Sequence, residues 1–538
     1  MLNGAPLKCR GRRASNGDLG KVRSDGHIER DEPRGWWTSP LVIAAIVILS
    51  VVPLLYPKIP PLVDLFGHMG RYRVQLDIGN SPWLSQYYGF HWAMIGNLGV
   101  DLLIMPLGKL MGLEPAVKLI VLMIPPLTVI GFLWVAQEVH GRVPPTVFLA
   151  VPFAYGHPFL FGFVNFALSM ALAFLAFGLW LRLGRLEKTR LRAALFIPIS
   201  VVIFFCHTYG WGALGLLCFS AEAVRQHDKG VGWFRSAWYA ALHAAFLALP
   251  MIIMLAWRSE THGGNTSDWF DWHAKWRYVL MALRDRWKLW DIASLAICAA
   301  LFVFVIANRF FGRSLTLSRN LAFSAIVLLI VYLLLPRIIF GSAYADMRLV
   351  PYAIAVALLA IRFRAPPAPW LATGLAIVGL GFAVARIAGN TASLAIASDE
   401  QEAILPAIDH MPMGARVVTM VGDPCGYYWP LPRDAHLGAM VVVRRQGFSN
   451  DQWVMEGLNP LDLRYRSAGH FGSDPSQRVR RQGCGVGKLW TIDQALAGVP
   501  RQDFDYLWLI DPPAFDESLT AGMIPVWRRG TSILYRLH

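Results

Sequence analysis

The sequence predicts a polytopic α-helical membrane protein: about 11 transmembrane helices, followed by a C-terminal α/β soluble domain. Three observations predict it. Of 538 residues, 55% are apolar and 16% are charged, where a soluble protein carries about 25% charge, and the mean hydropathy is +0.43. The apolar residues come in long runs, among them 41–55, 159–181 and 321–335. So many runs cannot all hide in one aqueous core, whereas a bilayer accepts them as helices with their backbone bonded internally. The formal net charge of +15 is unevenly placed: residues 398–538 carry 14 Lys+Arg against 16 Asp+Glu, leaving 36 against 19 for residues 1–397. The basic excess falls in short clusters between apolar runs, the pattern of cytoplasmic loops. A nucleic-acid partner is therefore not expected.

In chain order, residues 1–38 are polar and rich in Arg, Gly and Ser, and are expected to form a disordered, basic cytoplasmic tail. Run 41–55 reads as a retained first span, because what precedes it is too long and too charged for a cleaved signal. Eight Lys+Arg before that span place the N-terminus in the cytoplasm. Spans are predicted at 39–57, 115–136, 144–157, 159–182, 193–206, 210–224, 237–257, 290–311, 320–341, 349–363 and 368–388. Eleven crossings put the basic clusters inside and the tail outside. Residues 39–390 thus form the transmembrane domain, with outer loops 58–114 and 258–289. Segment 91–111, apolar but carrying Asp101, reads as a shallow or half-crossing helix. Segment 193–224 reads either as a hairpin turning at His207 or as one long tilted helix. Loop 258–289 is dense in Trp, as expected where bilayer meets water.

Residues 398–538 read as an extracytoplasmic α/β domain. A helical spacing covers 400–411, and strands are predicted at 416–421, 440–443, 506–510 and 532–537. Cys206, Cys218 and Cys298 sit in apolar runs as small hydrophobes. Cys425 and Cys484 lie in the tail, either as a disulfide or as two thiols.

Polar groups that interrupt membrane sequence are costly and mark cavities or partners. Asp64 and His68 are four residues apart, so a helix places them on one face, with Arg71 a turn further on. A carboxylate there is a candidate base, and its ordinary alternative is a surface ion pair. Arg348 opens a short span at its outer end, where it suits a lipid phosphate or pairs with Asp346. His157, His207 and Tyr209 fall at outer-side turns, where they either line the same cavity or pack as core residues. Glu260, His262, Asp268, Asp271 and His273 are too loosely spaced for a metal site. No metal ligands are assigned, and no cofactor is required.

The retained first span, the outer Asp64-x-x-x-His68-x-x-Arg71 run, the many helices, the outer Arg348 and the α/β tail together resemble the GT-C superfamily. These are multi-pass glycosyltransferases that use polyprenyl-phosphate-linked sugars, and the resemblance covers most of residues 39–390. Many members show two acidic residues close together in the first outer loop, whereas Asp64 has no adjacent carboxylate and Asp77 is the next. The resemblance implies a multi-pass protein of the bacterial inner or plasma membrane that moves a sugar from a polyprenyl-phosphate donor to a glycan, lipid or protein acceptor. Asp64 would be the base, with His68 either orienting it or helping to stabilise the departing phosphate. Arg348 and Arg71 would hold the phosphate, and His157, His207 and Tyr209 would bind substrate. No cofactor is assigned, a divalent metal being the alternative, and the lone Asp64 bears on metal use and on the assignment of the base alike. Two rival functions use the same residues: a transporter or flippase for lipid-linked glycans, and a non-catalytic scaffold of envelope assembly. The sequence shows no paired halves of the kind many transporters carry.

Overall fold

The computed structural model describes residues 35–538 apart from 261–264, 312–313, 365–366, 368, 456–458 and 485–488. The expected N-terminal tail therefore lies, up to residue 34, outside the described residues. Among the described residues, fourteen α-helices of nine or more residues carry the first three-quarters of the chain. They are α1 (Pro40–Leu49), α2 (Leu65–Asp77), α3 (Gly99–Met111), α4 (Leu113–His140), α5 (Val164–Arg185), α6 (Thr189–Cys206) and α7 (Thr208–Asp228). They continue with α8 (Trp233–Ala244), α9 (Leu249–Glu260), α10 (Trp272–Leu280), α11 (Lys288–Phe311), α12 (Arg319–Leu334), α13 (Val350–Leu359) and α14 (Pro369–Ile404).

Among the described residues, six helical stretches are long and apolar enough to cross a membrane: α4, α5, α6, α8 running into α9, α11 and α14. Shorter apolar helices cover Pro40–Leu54, Arg319–Leu334 and Met347–Leu359. The protein is a multi-pass integral membrane protein.

Two expectations for the helical part change, and the open alternative at 193–224 resolves in favour of two separate helices. The segment expected to span at 144–157 is instead a 3₁₀ stretch, Pro145–Tyr155, with every residue buried against protein. Prolines at 145 and 152 deny it α-helical hydrogen bonds, and burial supplies what lipid cannot. Residues 193–224 are two helices broken at His207, whose backbone is extended (φ −168°, ψ 131°). The helix expected at 400–411 is no separate element. Through residue 404 it continues α14, 36 residues long, and it ends in a 3₁₀ turn, Leu405–His410. At 1.5 Å rise per residue α14 is about 54 Å long, well beyond a hydrocarbon core of about 30 Å. The last membrane helix thus becomes the first support of the tail domain. At 13 residues α3 is about 20 Å long, too short to span.

The tail contains β1 (Arg416–Asp423), α15 (Met440–Arg445), β2 (Phe448–Ser449), β3 (Arg478–Arg480), α16 (Ile492–Gly498), β4 (Tyr506–Ile510), β5 (Ile524–Arg529) and β6 (Ser532–Arg536). Strand β1 runs parallel to β4 on one edge and to β2 and β3 at opposite ends of the other. Beyond β4 the sheet continues antiparallel through β6 to β5. Residues 440–443, expected as a strand, form α15 instead. A short buried apolar run carries no periodicity that separates the two. Cys425 and Cys484 are joined as a disulfide.

The tail domain is bolted to the membrane domain. Arg386 on α14 donates to Asp291 (2.8 Å), whose other oxygen accepts from Trp429 Nε1 (2.8 Å). Arg433 pairs with Asp285 (2.6 Å) and also reaches the Pro61 carbonyl. Loop 58–114 joins the tail directly, because Tyr88–Phe90 pairs antiparallel with Leu461–Leu463. In loop 258–289, α10 exposes Trp272 and Trp276 while Lys275 and Tyr278 point inward.

Candidate active site

A cavity of ≈ 450 Å³ opens where the membrane helices meet the tail domain. Asp64, His68, Arg71, His207, Tyr209 and Arg348 all line it. Of the residues named from sequence, His157 does not. It is buried in packing, its ring edge-on to Phe161 and its Nδ1 unpartnered.

Asp64 occupies the N-cap position of α2 yet makes no cap hydrogen bond. An N-cap Asp ordinarily satisfies the first helical N–H groups, whereas this carboxylate borders the cavity instead. Its backbone is fixed by Asp64 N–H donating to the Phe161 carbonyl (2.9 Å). Gly162 makes that approach possible: it has φ +97°, and a Cβ there would lie 2.6 Å from Asp64 N. The Asp64 side chain is 13% exposed. Burial first, and then the Asp474 carboxylate, push its pKa well above the ordinary carboxylate value, with Arg348 and Arg478 pulling it back.

His68 lies between Tyr72 and Trp453 (ring centroids 6.3 and 5.0 Å). Burial, reinforced by Arg71, holds its pKa well below the usual histidine value, so the ring is neutral. Its backbone N–H donates to the Asp64 carbonyl, while its Nδ1 has no partner.

Arg71 borders the cavity, but its guanidinium is taken. It forms a buried two-point pair with Asp101 (Nε–Oδ1 and Nη2–Oδ2, both 3.0 Å). Asn165 Nδ2 also donates to Asp101 (3.1 Å), and Gln75 donates to the Asp101 carbonyl (2.8 Å). Breaking a buried pair strands the surviving charge. Asp101→Ala is therefore expected to lower stability by about 3–5 kcal/mol, read as a depressed Tm in nanodiscs.

Arg348 is held differently from the sequence alternative, in which Asp346 neutralises it. Asp346 is occupied by Lys275 (3.0 Å), which also donates to the carbonyls of Tyr332 and Leu335. The Arg348 guanidinium lies over the Phe163 ring at 4.2 Å, a cation–π contact. Its Nη1 is 3.1 Å from His207 Nε2, and its Nε is buried without a partner. The Tyr209 N–H donates to His207 Nδ1 (3.1 Å), which leaves the ring hydrogen on Nε2. Two donors therefore lie 3.1 Å apart, and a single anionic oxygen beside the pair could accept from both.

The tail domain adds residues that sequence reasoning missed. His436 Nε2 is 3.8 Å from Asp64 Oδ1 and 3.9 Å from Asp474 Oδ1. Trp453 packs on His436 (4.4 Å), and Arg478 lines the same wall while bonded to Asp423 (2.6 Å). His436 and Trp453 follow the carboxyl ends of the parallel strands β1 and β2, where open α/β sheets usually present their sites. Gly67 and Gly70 let this wall close on α2. A Cβ at these positions would meet Trp453 and Gln452 at 2.6 and 2.4 Å. No local motif marks these tail residues, because only the folded chain brings them to Asp64. Asp77 is paired with Arg73 and is not part of the cavity. Among the described residues no three His, Cys, Asp or Glu side chains are placed to hold a metal ion. Of the loop residues weighed as ligands, Glu260 and His262 lie outside the described side chains.

Fold and site define a multi-pass integral membrane protein whose tail domain roofs a polar cavity. No family model matches the sequence, and no curated protein matches it. Among solved structures it is similar to the crystal structure of ArnT from Cupriavidus metallidurans bound to undecaprenyl phosphate. That likeness has a TM-score of 0.48 at 11% identity and covers 93% of this chain and 97% of that one. The apo form of the same protein gives a TM-score of 0.46 at the same identity and coverage.

Proposed function

We propose that this chain is a membrane glycosyltransferase of the GT-C type, taking its sugar from a polyprenyl-phosphate donor. The observation that carries the reading is the pairing of opposites in one cavity. The adjacent donors of Arg348 and His207 suit a phosphate, and the cavity-lining carboxylate of Asp64 suits a base. Asp64 removes the proton from the acceptor nucleophile, which attacks the anomeric carbon with inversion. The bond to the phosphate oxygen breaks, and its electron pair leaves with the polyprenyl phosphate. Arg348 and the His207 Nε2–H stabilise that developing charge. Arg71, neutralised by Asp101, positions α2 instead of binding phosphate.

The same reading sets the orientation. The N-terminus is cytoplasmic, and the cavity and tail domain lie on the outer face. The Cys425–Cys484 disulfide supports it, since such bonds persist in oxidising compartments. A flippase or a scaffold would share these residues but form no new glycosidic bond, so the transferred sugar separates the readings.

The test is mass spectrometry of envelope glycans and glycolipids from cells with the parent protein, without it, and with Asp64→Asn. The expected result is a sugar present only with the parent. A product that persists with Asp64→Asn contradicts the reading. Gly162→Ala introduces both a strained φ and a collision with the Asp64 backbone. A shift of about 1 Å in the base is expected to lower turnover about 10²-fold, measured with labelled donor in nanodiscs.

A further inference from the structure

We propose that the tail domain completes the acceptor half of the site: His436 and Asp474 join Asp64 in receiving a neutral, hydroxyl-bearing carbohydrate and in excluding an anionic acceptor. The inference rests on the transferase reading above.

The hydrogen-bond inventory carries it. His436 Nδ1 lies 3.1 Å from the Asp451 carbonyl, which can only accept, so Nδ1 carries the ring hydrogen. In the neutral ring Nε2 is then a bare acceptor. It faces two more acceptors, Asp64 Oδ1 at 3.8 Å and Asp474 Oδ1 at 3.9 Å. These separations are too long for direct hydrogen bonds and suit a polar group seated between. Asp474 Oδ1 already accepts from Gln477 Nε2 (2.7 Å), which fixes its direction. Arg478, the nearest cation on this wall, is engaged by Asp423.

Three convergent acceptors require a ligand rich in donors. Neighbouring sugar hydroxyls fit: one gives its proton to Asp64, and the others donate to His436 Nε2 and Asp474. The Trp453 ring, packed on His436 and lining the cavity, offers an apolar face to the C–H side of a pyranose. A phosphate or carboxylate acceptor would bring negative charge against Asp64 and Asp474 and would bring no donors. The cavity is thus divided, with donors at Arg348 and His207 for the leaving phosphate and acceptors at Asp64, His436 and Asp474 for the nucleophile. In the step itself the acceptor oxygen bonds to the anomeric carbon, the carbon–phosphate oxygen bond breaks, and the hydroxyl proton passes to Asp64.

Two measurements test the proposal. The first is the linkage of the transferred sugar, by mass spectrometry before and after mild acid. An acid-stable glycosidic bond to a carbon-borne hydroxyl is expected. A glycosyl phosphate, which mild acid releases, overturns this inference and leaves the transferase reading standing. The second compares His436→Asn, His436→Gln and Asp474→Asn with the parent in nanodiscs, with binding of fluorescent decaprenyl phosphate measured alongside. His436→Asn keeps a donor toward the Asp451 carbonyl but loses Nε2, whereas His436→Gln returns an acceptor oxygen near that position. Transfer is expected to fall about tenfold or more in His436→Asn and Asp474→Asn and to recover in part in His436→Gln. Decaprenyl phosphate binding and Tm should stay at parental values. Parental transfer in all three variants, or parallel loss of Tm and lipid binding, overturns the inference. If Asp64→Asn also transfers normally, Asp64 is not the base and the acceptor site built around it falls too; if the parent itself transfers no sugar, the transferase reading fails and takes this inference with it.

Discussion

Asp64→Asn is expected to lower the rate of sugar transfer by about 10²–10⁴-fold, the usual contribution of a positioned general base, while leaving thermal stability intact or raised. The second half of that result is the diagnostic one. The carboxylate is mostly buried, and nothing among the described residues donates a hydrogen bond to it. Its ionised form is therefore a burden on the fold that the amide lacks. A catalytic group kept at the expense of stability gives an inactive variant that melts no lower than the parent. A structural carboxylate gives the reverse. The pH dependence has a definite sign. Burial and Asp474 raise the Asp64 pKa, and the base works only when ionised. Activity should therefore rise with pH along a limb displaced above the ordinary carboxylate range, and Asp64→Asn should abolish that limb. Linkage runs the other way: a raised folded-state pKa favours the fold below the unfolded value and loses that contribution as pH climbs through the raised one. Rate and stability are thus expected to move oppositely with pH in the parent, and this part of the stability change should vanish in the variant.

Arg348→Gln is the second large effect, with an expected loss of about 10²–10³-fold in turnover from removing a preorganised donor to the leaving phosphate, together with weakened binding of fluorescent decaprenyl phosphate. Arg348→Lys should not restore activity. A lysine keeps the charge but loses the planar fork and the stacking on Phe163, which make arginine and lysine unequal at such sites. The Lys275–Asp346 pair fixes the segment that carries Arg348, so a charge elsewhere on it would not substitute. If Arg348→Gln binds decaprenyl phosphate like the parent, the phosphate site lies elsewhere.

Much of the cavity was legible before any coordinates, for one physical reason. Polar groups within apolar sequence are too costly to persist unless a cavity or partner receives them, and Asp64, His207, Tyr209 and Arg348 all obey that rule. His157 obeys it differently, sealed in aromatic packing, and spacing alone does not separate the two outcomes. The buried pairing of Arg71 is not legible in sequence because Asp101, its partner, lies 30 positions away. Helical spacing reports neighbours three and four residues apart and is blind to such pairs. The tail contribution was illegible for the same reason on a larger scale. His436 and Asp474 carry no spacing signature, and the Asp474 carboxylate that shares the cavity with Asp64 lies 410 positions further along the chain. No helix end marks a boundary between membrane helix and tail, because α14 is continuous from Pro369 to Ile404. It runs on into the domain it supports, and hydropathy falls along it while the helix continues.

The most direct test of the central claim is a cryo-EM structure of the protein in nanodiscs with decaprenyl phosphate bound. The expected density places the phosphate within hydrogen-bond distance of Arg348 Nη1 and His207 Nε2, in the cavity that Asp64 borders, with the isoprenoid chain passing outward between the helices. A phosphate bound away from Arg348, or on the opposite side of the membrane from Asp64, contradicts the account.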